Sequence, residues 1–105
     1  MPFFLCRLNG PRATFPQDMT EAERALMGEH AGYWLQKMRT AEVVVFGPVA
    51  DPGGFWGLGV LECSGAEEAK SFTQSDPVIR AGAGFFYDIH PMPGAVAHGR
   101  ASPAS

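Results

Sequence analysis

A capping box fixes one long helix in this chain, and the rest of the topology is read outward from it. Thr20-Glu21-Ala22-Glu23 places a hydroxyl three residues ahead of a carboxylate, the reciprocal pair that satisfies the free amides of a helix start. From about Glu21 to Arg39, Leu26, His30, Tyr33 and Trp34 recur at three- and four-residue spacings and therefore share one face. Lys37 and Arg39 close the segment, where positive charge favours the negative end of the helix dipole. Gly28 and Gly32 each cost about 1 kcal/mol against alanine, and are expected to let the helix lie close to a sheet. On this reading His30 points inward, where an imidazole needs a partner.

Strand-like segments flank that helix on both sides. Phe3 to Leu8 is a short aromatic-rich apolar run closed by Asn9-Gly10-Pro11, and the two prolines of Pro11 to Met19 deny that stretch regular structure. Glu42 to Phe46 is β-branched and is expected to stop at Gly47-Pro48; beyond the turn Asp51-Pro52-Gly53-Gly54, Phe55 to Leu61 completes a hairpin. Trp56, Leu58 and Val60 share one face of the latter strand, while Gly57 and Gly59 on the other leave a shallow place for backbone or ligand. Gly65 opens a second helix through Ala69, Phe72 and Thr73, Asp76-Pro77 begins a further helical turn, and Gly82 and Gly84 precede a last strand from Phe85 to Ile89. Strand, helix, strand, strand, helix, strand is the order of a ferredoxin-like βαββαβ sandwich, an α+β fold with a four-stranded antiparallel sheet. Its helices cover one face of the sheet, so a second copy of the chain is the expected cover for the other, giving a homodimer. Residues 1–92 are read as the domain and 93–105 as a mobile C-terminal tail.

Composition narrows the partners. A chain of 105 residues with 46% hydrophobic and 18% charged residues has room for one globular domain. Its net charge of -3 and its scattered Lys and Arg argue against nucleic acid. No apolar run approaches the roughly 18 residues of a membrane span, and Arg7 interrupts the opening run too early for a signal core, so no membrane partner and a cytoplasmic location are expected. Cys6 and Cys63 lack metal-ligand spacing and are read as reduced thiols.

The chemistry-bearing residues each carry two readings. His30 is either a core imidazole bonded to a backbone carbonyl or a general base, since a neutral imidazole can take and return a proton at physiological pH. Asp76 before Pro77 has the form of a helix N-cap, yet a carboxylate has a second oxygen free to accept from an imidazole. Arg12 and Arg80 are candidate contacts for an anionic substrate or simply solvated cations; Trp34 and Trp56 are candidate substrate contacts or packing. No serine or cysteine sits at a motif position that would complete a nucleophilic triad, and Cys6, on a buried strand, is read as core rather than nucleophile. His90 and His98 stand at no ligand-like spacing from His30, so no metal and no cofactor are expected. The glycines of 51–54 open no helix and therefore form a hairpin turn rather than a phosphate cradle.

Taken together, Pro11-Arg12, Met19-Thr20 through His30, Tyr33-Trp34, Phe46-Gly47-Pro48-Val49, Trp56-Gly57-Leu58, Asp76-Pro77, Phe85 and Pro91-Met92 resemble the YCII-related (YciI-like) family over nearly the whole chain. The resemblance implies a dimeric α+β barrel of ferredoxin-like subunits, with a His–Asp site at His30 and Asp76 in a cleft between sheet and helices. A dehydrochlorinase of chloroaromatic breakdown among such proteins implies that the fold can host acid/base elimination. The longer loop ahead of the first helix departs from the shortest members. The expected function is a cofactor-free acid/base enzyme of lyase or isomerase type acting on a small molecule. The alternatives are a small-metabolite-binding dimer without turnover and a purely structural dimerisation unit.

Overall fold

The capping box forms: the Thr20 hydroxyl accepts from the Glu23 amide at 3.1 Å and the Glu23 carboxylate accepts from the Thr20 amide at 2.9 Å. It starts helix α1, Glu21–Met38, in the computed structural model of the chain, which describes residues 1–40 and 42–99. Glu23, Leu26, Met27, His30, Tyr33, Trp34 and Lys37 form the less exposed stripe of α1, as the spacing predicts. Gly28 and Gly32 are a correction. Both are exposed, and a Cβ at either would meet nothing within 4 Å, so they lie on the solvent side and bring no element closer.

Four strands, β1 (Phe3–Asn9), β2 (Val43–Val49), β3 (Trp56–Glu62) and β4 (Phe86–Pro91), pair in the order β2-β3-β1-β4, every pair antiparallel. Two further helices, α2 (Ala66–Gln74) and the single turn α3 (Pro77–Arg80), complete the order read from the sequence. Strand β2 runs on through Gly47-Pro48 to Val49 instead of stopping there. It is an edge strand, and a proline that removes one ladder donor is tolerated at an edge. The last strand begins one residue later than expected and reaches Pro91.

Register and core assign the faces. Phe4, Cys6 and Leu8 on β1 oppose Leu61, Gly59 and Gly57 on β3, and Phe4 and Cys6 share a buried cluster with Trp34 of α1 and Ala69 and Phe72 of α2. A second cluster joins Leu8 to Val78 of α3 and to Phe85. Burying side chains of this size stabilises by roughly 1.5–3 kcal/mol each, which is what holds helices to sheet. The alternate residues Leu5, Val45, Leu58 and Phe86 occupy the opposite face, where Val45 is 47% and Phe86 54% exposed. No helix is long and apolar enough to cross a membrane among the described residues. Residues 100–105 of the expected tail lie outside the described residues.

Candidate functional site

Gly59 explains how α1 approaches the sheet. The Trp34 ring lies where a side chain at position 59 would stand: a Cβ there would be 2.3 Å from Cη2 and 2.5 Å from Cζ3 of the indole. The shallow place left by the β3 glycines is thus filled at Gly59 by this chain's own tryptophan, which is 1% exposed. With the indole seated on the sheet, its Nε1 reaches toward the start of α3, and His30, one turn earlier on α1, comes beside it.

At that point stands Asp76, fully buried and N-capping α3. Its Oδ1 accepts from the Val78 amide at 3.0 Å. The other oxygen, Oδ2, accepts from three donors: His30 Nδ1 at 2.7 Å, Trp34 Nε1 at 2.9 Å and the Tyr87 hydroxyl at 2.6 Å. Cap and imidazole partner coexist on one carboxylate because each role uses a different oxygen. Burial opposes the charged form of Asp76, but hydrogen bonds from His30 and Tyr87 outweigh it and hold the carboxyl below its ordinary value. Burial, then the adjacent Asp76 charge, push the Tyr87 phenol well above the usual tyrosine range, so it remains a hydroxyl donor. It also accepts from Trp34 Nε1 at 3.0 Å.

The imidazole orientation follows. Because ionised Asp76 can only accept, the proton of a neutral His30 sits on Nδ1, leaving Nε2 with its lone pair. The His30 side chain is 13% exposed, and its only hydrogen bond among the described residues is the one to Asp76. It lines a cavity of about 290 Å³ between α1, the sheet and the loop that precedes α1. Phe15, Met27, Phe46 and Phe85 wall that cavity, and Gly57 and Gly59 contribute to its sheet side. Phe15 meets Phe85 edge to face at 5.2 Å, tying the loop to the far wall.

Arg12 fastens the same loop. Its guanidinium bonds the Glu23 carboxylate through both terminal nitrogens, at 2.7 and 2.8 Å, and the Asp18 carboxylate through Nε at 2.9 Å. Those hydrogen bonds raise the Arg12 pKa and lower that of Glu23 to about 2. Its guanidinium is therefore engaged by the chain itself and does not line the cavity. Arg80 is exposed at the end of α3 and is also outside the lining. Trp56 borders the cavity, but its indole stacks under the Arg7 guanidinium at 4.6 Å and bonds Asp51 at 3.0 Å, on the face away from the helices. The structure thus brings His30, Trp34 and Asp76 together and leaves Arg12, Arg80 and the Trp56 ring apart from them. Cys6 is a core thiol, pushed up to about 12 by burial first and Cys63 second.

Tyr87 escaped the sequence reading. The alternation through β4 gives Tyr87 and Ile89 the helix side, and a buried tyrosine hydroxyl normally finds a partner, but no spacing says that the partner is Asp76.

A family model described as the YCII-related domain matches residues 1–93. No protein of curated function matches the sequence. Among solved structures, the chain is similar to 5-chloro-2-hydroxyhydroquinone dehydrochlorinase from Burkholderia phenoliruptrix AC1100, solved in complex with 2,5-dihydroxybenzoquinone. The TM-score is 0.61 at 19% sequence identity, over 90% of this chain and 96% of that one, a likeness of fold.

Proposed function

The chain belongs to the YCII-related family, and from that premise we propose that it is a cofactor-free acid/base enzyme of lyase or isomerase type, with His30 as the proton-transferring group and Asp76 orienting it. The observation that carries this reading is an imidazole whose Nδ1 is held at 2.7 Å by a buried carboxylate while its ring borders an apolar cavity. A proton-transfer catalyst needs a base with its lone pair facing substrate and a fixed tautomer behind it. His30 Nε2 removes a proton from an acidic O–H or C–H of the bound molecule, and the Asp76 charge stabilises the imidazolium. In an isomerisation, Nε2 returns that proton to a different atom of the same molecule. In an elimination, the electron pair left by the proton forms the new double bond, the leaving group departs with its own bonding pair, and Nε2 releases the proton to water.

The walls narrow the substrate. Among the described residues no Lys or Arg lines the cavity, whereas Phe15, Phe46, Phe55 and Phe85 do, which favours a planar ring compound without a carboxylate or phosphate. The likeness to a dehydrochlorinase supports proton-coupled elimination as chemistry that this fold can house.

His30→Gln separates chemistry from packing, since it keeps bulk and hydrogen bonding but removes the titratable nitrogen. With a panel of hydroxylated and chlorinated hydroquinones, turnover should fall by roughly 10²–10⁴-fold while the melting temperature barely moves. Binding of 2,5-dihydroxybenzoquinone with no turnover of any panel member by the wild type would instead support the binding-dimer reading. We further propose a homodimer formed through the helix-free sheet face, where the exposed Val45 and Phe86 would otherwise meet water. Sedimentation at micromolar concentration should give twice the 11.3 kDa chain mass, and a stable monomer refutes it.

A further inference from the structure

Beyond the pair itself, three donors converge on one oxygen of Asp76, and the imidazole is only one of them. A hydrogen bond to an ionised oxygen favours the charged form and withdraws electron density from it. The shortest of the three comes from the Tyr87 hydroxyl at 2.6 Å, delivered from the helix-facing side of β4. Tyr87 in turn accepts from Trp34 Nε1, so indole, phenol and carboxylate form a closed triangle of hydrogen bonds. That triangle fixes the position of Oδ2 without help from His30. The Val78 amide fixes Oδ1, and the carboxylate plane is then fully determined.

We propose that Tyr87 is a positioning residue for this site: its hydroxyl keeps Asp76 ionised and holds Oδ2 where it aims the His30 ring. The proposal rests on the acid/base reading only for its catalytic consequence. The carboxylate is held by Tyr87 whether or not the cavity turns a substrate over. The titratable groups facing Asp76 are His30 and Tyr33 from α1 and Tyr87 from β4, with Cys6 of β1 behind the phenol. Tyr33 spends its hydroxyl on the Phe72 carbonyl at 2.7 Å and so does not substitute for Tyr87. Trp34 remains as a weaker neutral donor when the phenol is removed.

The test is Tyr87→Phe in the full chain, which retains the ring and deletes the donor. With ¹³C-labelled aspartate, the carboxyl titration of Asp76 is followed by NMR in wild type and variant, with no substrate present. The midpoint should rise by roughly one pH unit in the variant, the amount that losing a modest charged hydrogen bond represents. An unchanged midpoint in a variant that melts normally overturns the proposal, because a tyrosine that merely fills space leaves that titration alone. Should Tyr87→Phe fail to fold, 3-fluorotyrosine incorporation keeps the shape and makes the hydroxyl a stronger donor. The Asp76 midpoint should then fall, and a midpoint that stays put or rises overturns the proposal equally. Loss of turnover in His30→Gln bears on the acid/base reading alone, so the two ideas fail separately.

Discussion

Gly59→Ala adds one methyl group at the closest contact between α1 and the sheet. The added Cβ would stand 2.3, 2.5 and 3.0 Å from three atoms of the Trp34 ring, against ordinary carbon–carbon contact near ~3.5–4 Å, so the indole must retreat by about 1 Å. It cannot swing freely. Trp34 is 1% exposed, packs on Phe72 at a centroid distance of 4.8 Å, and holds Asp76 and Tyr87 through Nε1. Overpacking of a filled core costs about 1–3 kcal/mol, while the stiffer unfolded chain of an alanine variant returns about 0.4–1 kcal/mol. A net loss of up to about 2.5 kcal/mol is expected, which lowers the melting temperature by up to roughly 10–20 °C for a domain of this size. Urea unfolding of Gly59→Ala beside Gly47→Ala, where a Cβ meets nothing within 4 Å, isolates the contact from the generic effect of replacing a strand glycine. The Trp34 indole N–H resonance should also shift as its bonds to Asp76 and Tyr87 lengthen. Equal stability of the two variants with an unmoved indole signal would refute the reasoning.

Asp76→Asn should cost about 2–3 kcal/mol at pH 7, because an amide cannot accept on both atoms from four donors. The folded-state pKa of Asp76 is lowered, so the carboxylate's contribution is complete above the unfolded value near ~3.9 and is lost as pH falls through the lower folded value. The stability gap between wild type and Asp76→Asn, measured by urea unfolding from pH 7 down to pH 2.5, should therefore hold steady to about pH 4 and close below it; a gap that closes between pH 7 and 5 contradicts the assignment. Arg12→Ala releases Asp18 and Glu23 and should speed amide exchange in the loop 11–19 while leaving the interior of α1 protected, as measured by hydrogen exchange with mass spectrometry. Unchanged exchange in that loop would show that Phe15 packing alone holds it.

Much of this protein is local and hence legible in the residues. The Thr20–Glu23 box, the 3.6-residue stripe of α1 and the Asp76-Pro77 cap each depend on neighbours a few positions away, and each forms as the spacing predicts. Turn glycines and prolines likewise mark where the strands are separated, so element order and the ferredoxin-like topology follow. Edge and centre are another matter. Whether Pro48 ends a strand depends on which strand β2 pairs with, and only the sheet order makes it an edge that proline can join.

The candidate site divides along the same line. His30 facing inward is a property of helix period, and an N-cap at Asp76 is a property of the Asp-Pro step. That their side chains meet at 2.7 Å, 46 positions apart, requires α1 to cross the sheet at the height of α3, and that height is set by Trp34 resting on Gly59. Arg12 as a loop fastener, Trp56 on the face away from the helices and Tyr87 as the third donor to Asp76 are likewise decided by contacts between distant segments. Local sequence sets which way a side chain points, through the 3.6- and 2-residue periods of helix and strand. What it points at depends on long-range packing, where the same inward-facing arginine, tryptophan or tyrosine meets a different partner for each arrangement of the layers.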